Sequence, residues 1–415
     1  MKESKKIGKD LLWNYMSIAV MAAVGLLMNA VIAVSYGGET LGCFNETYAW
    51  YMILSQIAVW GIHMAMVKYV PETAAEETKG TFLRTGIVVV FLISVGVTLV
   101  SEIAVLCMKA APWGRMMSIA FSSLVLLSIN KVCLSYLNAT NRMTVYAALV
   151  SLRYFGLGLS TVILSAVHID SDWLALVFPV SEMTLWVVIM LYFATRIRIK
   201  GRLERETGKK LLSFGSRILP SNLVLELNTK VDVICLGLLI TDMRKIGIYS
   251  FAILFTEGFY MLYVIIRKLI NPSLSESNIQ GKIEIQIHDI RQKMKGKLIL
   301  GGTSVLVCVL IVYLSICAIM DRSEYQVGIV YISIICVAMI VNGKSIIFGD
   351  LLAQIGFPSE ESFLNILTVG YNFVVNLIMI KTLGVIGAAI STATSYFVYS
   401  YYLRTKVRKR TGLIL

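Results

Sequence analysis

Apolar residues run through this chain in stretches of bilayer length, separated by short polar segments. A helix needs roughly 20 predominantly apolar residues to cross a membrane, and about twelve stretches approach that length. They are expected at residues 11–34, 47–69, 85–108, 113–137, 144–167, 173–195, a seventh stretch containing Arg217, 246–270, 298–320, 327–348, 363–383 and 384–403. The pattern predicts an all-α integral membrane protein with about twelve transmembrane helices.

One polar connection has a periodicity of its own. Within residues 277–296, Ile283, Ile287 and Ile290 recur at helical spacing with charged and polar residues between them, which favours an amphipathic helix on the inner membrane surface. The isoleucines at every second position around Ile285 also permit a short strand. An isolated strand would leave backbone groups unpaired at the membrane, so the helix is the favoured prediction.

Short sequence features also recur at corresponding places in the two halves. A Gly-x-aromatic string opens the second span at Gly42 and the eighth at Gly247, and basic residues end the sixth span at 195–200 and the twelfth at 404–409. Such strings also recur by chance, but in this order they suggest two parallel six-helix lobes around a central cavity. The predicted organisation is an N-terminal lobe at 1–200, a cytoplasmic linker at 201–215 and a C-terminal lobe at 216–415.

Composition supports the membrane class, and charge indicates an orientation. Hydrophobic residues make up 57% of the chain and charged residues 15%, whereas soluble domains have about 25% charged residues. The net charge of +13 comes largely from basic residues between spans, as in 196–210, 282–297 and 404–410. This distribution indicates topology signals and contacts with membrane lipids rather than nucleic-acid binding. We expect a multi-pass protein of the cell (plasma or inner) membrane with both termini in the cytoplasm.

The sequence gives little indication of a catalytic site or a metal site. The three histidines, His63, His168 and His288, have no second ligand at a metal-site spacing, so neither a metal site nor a cofactor is predicted. A membrane polysaccharide polymerase or ligase would be expected to carry acids or histidines on a substantial outer loop, and the outer turns are short. The sequence therefore predicts a protein that is not an enzyme.

The seventh span is unusually polar for a membrane helix. It contains Arg217, Glu226, Lys230 and Asp232, and an ionisable group facing lipid at mid-depth costs at least about 2.5 kcal/mol. These side chains are therefore expected to face an interior or a water-filled cavity. Glu226 and Lys230, four residues apart, could instead form a buried pair that only fixes helix packing. Pro220 predicts a kink in the same span.

These residues also carry a family resemblance. The order LLSFGSRILPSN, LNTKVDVICLGLL and KIGIYSFA resembles the seventh and eighth helices of polysaccharide transporters, which flip lipid-linked oligosaccharides such as O-antigen units. That family belongs to the multidrug/oligosaccharidyl-lipid/polysaccharide (MOP) exporter superfamily. Val233 stands where the family commonly has Arg after the Asp, so no role of that Arg is carried over. Residues 8–10, 36–38, 61–71 and 383–392 are also similar to the family.

The resemblance implies a flippase of cell-surface polysaccharide biosynthesis that works by alternating access between two lobes. Its cargo would be an oligosaccharide on a polyprenyl diphosphate, moved from the inner to the outer leaflet, and polysaccharide assembly proteins would be possible partners. A cation-coupled multidrug exporter of the same superfamily is the alternative. That alternative would have a narrower, more acidic cavity.

A diphosphate headgroup requires cationic partners inside the membrane. The candidate substrate-binding residues are Arg153, Arg217, Lys230 and, less deeply, Lys131. Arg153 could bind phosphate or form an interlobe salt bridge. The candidate ion-pair acids, or coupling acids for H⁺ or Na⁺, are Glu102, Glu182, Glu226, Asp232 and Glu257. The basic interior favours the flippase over the exporter.

Overall fold

The structure, a computed structural model, describes residues 20–107, 114–197, 199–280, 282–294 and 296–412. Every regular element within these residues is a helix, which confirms the predicted all-α class. The chain divides into two compact units, Met1–Glu226 and Leu227–Leu415, and the division falls inside one long helix. The predicted lobe and linker boundaries stay a prediction. The basic N-terminus, the start of the first predicted span and residues 108–113 lie outside the described residues.

The first unit contains eight helices and the beginning of a ninth. They are α1 (Val20–Tyr36), α2 (Gly38–Val59), α3 (Ile62–Tyr69), α4 (Glu76–Cys107), α5 (Gly114–Ser122), α6 (Leu124–Ala139), α7 (Met143–Ala166), α8 (Val177–Arg196) and α9 (Arg205–Leu239), with a 3₁₀ helix at Ser171–Leu176. Buried apolar residues of α3, α4, α6 and α8 form its main core, with Ile62, Leu83, Leu137 and Leu185 fully buried.

The second unit contains the end of α9 and the remaining helices. They are α10 (Met243–Ile279), α11 (Ile283–Met294), α12 (Lys297–Ile319), α13 (Gly328–Ile347), α14 (Leu351–Gln354), α15 (Pro358–Leu383) and α16 (Val385–Thr411), with a 3₁₀ helix at Ser323–Val327. Aromatic side chains of α10 and α12 pack at its centre, where the rings of Phe255 and Tyr313 meet edge to face at 4.9 Å.

Eight helical segments in the described residues are long and apolar enough to cross a membrane, or nine if α2 and α3 form one bent span. Three further helices fall outside this test: α1, which is described only from Val20; α9, which carries several ionisable groups; and α16, which is rich in Ser, Thr and Tyr. Together they account for the about twelve spans expected from the apolar pattern. The chain is a multi-pass membrane protein.

Some helices expose large apolar faces. Only 17% of the most apolar window is buried in α4, and the same holds for α12. Leu106, Leu300 and Ile319 are each more than 70% exposed. Soluble monomers rarely expose apolar patches of this extent, so these faces are suited to the hydrocarbon region of a bilayer.

The second predicted span is broken, contrary to the expectation of a continuous helix at 47–69. The axes of α2 and α3 differ by 51°, and Trp60 and Gly61 at the break have φ of 51° and 68°. Gly215 of α9 packs directly against it, because a Cβ atom there would lie 2.0 Å from the Trp60 carbonyl oxygen. The fourth span is likewise interrupted at Ser123, between α5 and α6.

Two long helices contain a proline, and the isoleucine-rich segment is also helical. α9 is helical on both sides of Pro220, and α10 continues through Pro272; the kink at Pro220 stays a prediction. The segment with isoleucine periodicity forms the helix α11 rather than a strand. Ile287 and Ile290 are buried, as the helical period requires. Its location on the inner membrane surface stays a prediction.

Candidate functional site

Arg153 of α7 forms a buried ion pair with Glu182 of α8. The Arg153 Nε lies 2.5 Å from Glu182 Oε1, and the two side chains are 15% and 3% exposed. The Asn130 amide of α6 donates to Glu182 Oε2 at 2.8 Å and to the Glu182 carbonyl at 2.9 Å. Gly156, one turn after Arg153, leaves space for Ser181 of α8, and the Ser181 hydroxyl donates to the Arg153 carbonyl at 2.8 Å. A charge pair this deeply buried is stabilised only if its remaining donors and acceptors are satisfied.

Lys131, the residue after Asn130, has no such partner. Its Nζ donates to the Ser55 hydroxyl of α2 at 3.0 Å, and it forms no ion pair with a described residue. The charges of Arg153, Glu182 and Glu226 act on it electrostatically. The structure therefore brings together four of the predicted residues within the first unit.

Glu226, at the end of the first unit, accepts a hydrogen bond from the Gln56 amide of α2 at 2.8 Å. Gln56 directly follows Ser55, so α2 presents neighbouring neutral groups to an acid and to a base. The alternative of a Glu226–Lys230 structural pair stays untested, because these residues belong to different units.

Arg217 and Glu102 are placed differently from the others. Arg217 is exposed, and its described hydrogen bonds go to the Ser213 carbonyl (3.1 Å) and hydroxyl (3.4 Å) of its own helix. Glu102, which was expected to be a buried acid, is half-buried on α4, and its side chain forms no hydrogen bond or ion pair with the described residues. Neither residue therefore has a described partner of opposite charge.

Asp232 is the centre of a polar cluster in the second unit. Tyr249 and Thr392 donate to its Oδ2 at 2.8 and 2.5 Å. The amides of Asn376 and Asn372 approach its Oδ1 at 2.8 and 3.4 Å. All four groups can donate to an ionised carboxylate, which only accepts. No described Lys or Arg forms an ion pair with it.

The packing of α15 against α16 positions this cluster. A Cβ atom at Gly387 would lie 2.1 Å from the Met379 carbonyl oxygen, so the close approach of the two helices requires glycine. One turn later, the Ser391 hydroxyl of α16 donates to Asn372 Oδ1 at 2.8 Å. Asn376 lies four residues after Asn372 on the same helix face, so both amides reach the carboxylate.

Lys230 contacts the remaining predicted acid. Its Nζ lies 3.8 Å from Glu257 Oε1 of α10, and the two side chains are 19% and 41% exposed. Glu257 is thus open to solvent or ligand, whereas Glu182 is enclosed. Lys230 and Asp232, close neighbours on α9, face different partners.

The neutral members of both clusters were not among the residues predicted from the sequence. Asn130, Gln56, Asn372 and Asn376 lie in apolar helices and carry no charge, whereas the predicted site contained only ionisable residues. Asn372 and Asn376 are 3% and 0% exposed. A signal did exist, since side-chain amides four residues apart in an apolar span require hydrogen-bond partners. The described residues contain no group of three or more His, Cys, Asp and Glu able to hold a metal ion.

One comparison identifies a family, and another identifies solved structures with the same fold. A family model described as polysaccharide biosynthesis protein matches residues 7–279. The fold is similar to an inward closed structure of the lipid II flippase MurJ, with a TM-score of 0.79 and 16% identity over 96% of this chain and 87% of that one.

Two further solved structures share the fold. An inward-facing multidrug resistance MATE transporter of the MOP superfamily has a TM-score of 0.74 and 12% identity, with 94% of each chain covered. A MOP superfamily transporter from Pyrococcus furiosus has a TM-score of 0.56 and 13% identity over 98% of this chain and 97% of that one. The comparison with curated proteins gave no match.

Proposed function

Since the chain belongs to the polysaccharide biosynthesis protein family of MOP-type transporters and flippases, we propose that it flips an oligosaccharide linked to a polyprenyl diphosphate. Movement would run from the inner to the outer leaflet of the cell membrane, by alternating access, with both termini in the cytoplasm. The product would supply the assembly of a cell-surface polysaccharide. The family match confirms the resemblance carried by the seventh and eighth spans.

The observation that carries this proposal is the environment of Lys131. An ammonium group in a membrane-spanning helix is costly, yet within the described residues Lys131 donates only to the neutral Ser55 hydroxyl. A compact ammonium with unused donors can bind a diphosphate as a point charge. Lys131 is therefore the first candidate for the headgroup contact.

Arg217 is the second candidate, because its described hydrogen bonds stay within its own helix. A guanidinium has five donors, and its fork matches two phosphate oxygens. Arg153 has a smaller role in the proposal, since its charge is already paired with Glu182. Lys230, beside the half-exposed Glu257, is a secondary contact.

Asp232 is proposed as the coupling carboxylate. Its negative charge is held by neutral donors from α10, α15 and α16, so a proton or Na⁺ could add to the site without displacing a basic side chain. The carboxylate and the adjacent hydroxyl oxygens of Tyr249 and Thr392 are hard ligands suited to such cations. Asp232→Asn should keep the protein folded but remove the dependence of transport on a Na⁺ or pH gradient. Unchanged gradient dependence in this variant would remove Asp232 from the coupling step.

The same carboxylate supports the second candidate, a cation-coupled multidrug exporter. The two functions are separated by cargo. Vesicles containing the purified protein would be supplied with a labelled polyprenyl-diphosphate sugar or with a labelled organic cation. Movement of the lipid-linked sugar supports the flippase, and gradient-driven movement of the organic cation alone supports the exporter.

The flippase test uses charge-removing variants in the same vesicles. Lys131→Gln and Arg217→Gln should each slow flipping about tenfold or more, because each removes a charge-assisted hydrogen bond to phosphate. Lys209→Gln removes one charge from an exposed position of α9 and should flip at the wild-type rate. Wild-type rates in both Lys131→Gln and Arg217→Gln would refute the role of these cations, whatever the cargo.

A further inference from the structure

A polar cavity of about 230 Å³ lies at one end of the first unit. Its lining includes Glu76 and Lys79 in the first turn of α4, Tyr136 near the end of α6, and Asn141 and Arg142 in the turn before α7. All of these residues lie at or next to the ends of helices of membrane-spanning length. The cavity therefore lies at the depth of lipid headgroups, and the charge pattern predicts that this end faces the cytoplasm.

Two side chains offer unused hydrogen-bond donors to the cavity. Arg142 donates from Nη1 to the Tyr192 hydroxyl at 3.1 Å, and its guanidinium makes no further hydrogen bond or ion pair within the described residues. A guanidinium has five N–H groups, so most of them remain available. Tyr136 is 97% buried, being only 3% exposed, and its hydroxyl has no hydrogen-bond partner among the described residues.

The charge of the lining selects an anion. Lys79 Nζ lies 2.7 Å from Glu76 Oε1, but the Glu76 side chain is 75% exposed and the Lys79 side chain only 21%. With Arg142 added, the described lining has an excess of one positive charge. A partly buried ammonium, a guanidinium and a phenol are together suited to a ligand with several acceptor oxygens.

Cavity size limits what that ligand can be. A water molecule takes about 30 Å³ of liquid volume, and pockets for drug-sized ligands begin near 300 Å³. The cavity is therefore large enough for a phosphate headgroup and too small for an oligosaccharide. A phosphate ester has the right size, charge and acceptors.

We propose that this cavity binds the phosphate group of an anionic membrane lipid, with Arg142, Lys79 and Tyr136 as its donors. The inner leaflet supplies such lipids at the level of the cavity. The acyl chains would lie along the lipid-exposed faces of the spans, outside the cavity. This site is separate from Lys131 and Arg217, and it does not depend on which cargo is transported.

Native mass spectrometry of the full-length protein in neutral detergent tests the proposal. The protein is titrated with dioleoyl phosphatidylglycerol or with dioleoyl phosphatidylcholine. Wild type should bind the anionic lipid more tightly. Arg142→Gln should weaken that binding about tenfold, since a charge-assisted contact is lost. Glu76→Gln should leave it equal or tighter, because it removes a negative charge beside the site and releases Lys79.

Tyr136→Phe separates binding from folding. The lost hydroxyl has no described partner, so the melting temperature should stay unchanged while phosphatidylglycerol binding weakens about threefold. Lys209→Gln is the matched charge control and should bind as wild type does. Equal binding of both lipids, full binding by Arg142→Gln and Tyr136→Phe, or an equal loss in Lys209→Gln would each overturn the proposal. If inorganic phosphate raises the melting temperature through Arg142 while the lipid does not bind there, a lipid source is excluded.

Discussion

Replacing Arg153 with Gln should destabilise the first unit rather than act first on transport. The substitution leaves the Glu182 carboxylate, whose side chain is 3% exposed, with the Asn130 amide as its remaining described side-chain partner. Breaking a buried ion pair by removing one partner costs about 3–5 kcal/mol. At about 2–4 °C per kcal/mol for a domain of this size, the melting temperature should fall by about 6–20 °C.

The double variant Arg153→Gln/Glu182→Gln tests whether the unpaired Glu182 carboxylate causes the loss of stability. Replacing both members of a buried pair is often close to neutral, so the double variant should regain most of the lost stability. Lys293→Gln is the control, because Lys293 pairs with Asp289 on the surface of α11 with side chains 71% and 43% exposed. Such exposed pairs contribute about 1 kcal/mol or less.

The assay is the folded fraction that survives heating in detergent, measured by size-exclusion chromatography with a fluorescent fusion. An unchanged melting temperature in Arg153→Gln would refute the structural role. A double variant no more stable than the single variant would refute the uncompensated charge as the cause. If Arg153→Gln kept its stability and abundance but stopped flipping, Arg153 would belong to the phosphate site.

Two further predictions concern the bend in the second span and the orientation of the chain. Gly215→Ala places a Cβ atom against the Trp60 carbonyl oxygen and should lower the free energy of unfolding by about 1–3 kcal/mol. Gly96→Ala is the control, because a Cβ atom there has nothing within 4 Å, and its melting temperature should stay unchanged. Equal effects of the two substitutions would contradict the close packing of Gly215 against Trp60. In a cysteine-free background, Arg202→Cys should resist an impermeant thiol reagent outside intact cells and Thr241→Cys should react. Both positions are exposed, so equal labelling would overturn the predicted orientation.

The helices themselves could be predicted closely from the chain. Apolar stretches of bilayer length identified the spans, because a lipid-facing backbone must satisfy its hydrogen bonds within one helix. The isoleucine period identified α11 for a similarly local reason, since Ile287 and Ile290 come onto one face only in a helix. The break at Trp60 was missed. It depends on the contact with Gly215 of α9, which is distant in sequence.

The partners of the charged residues could not be predicted from the sequence. Arg153, Lys131, Lys230 and Asp232 were recognised as interior charges because ionisable groups are costly in lipid. Which of them is paired was not evident. Arg153 meets an acid, whereas Asp232 is held by neutral amides and hydroxyls. A neutral hydrogen-bond partner has no charge by which it could be identified in the sequence.

The sequence by itself determined the membrane class, the approximate number of spans and the family, because each follows from local apolarity or from contiguous motifs. Tertiary structure alone decided where a span bends and which buried charge remains available for a ligand. Those properties depend on close approaches between helices, as at Gly215 and Gly387. A helix satisfies its own backbone locally, but its polar side chains can be satisfied only by whichever neighbour the packing brings near.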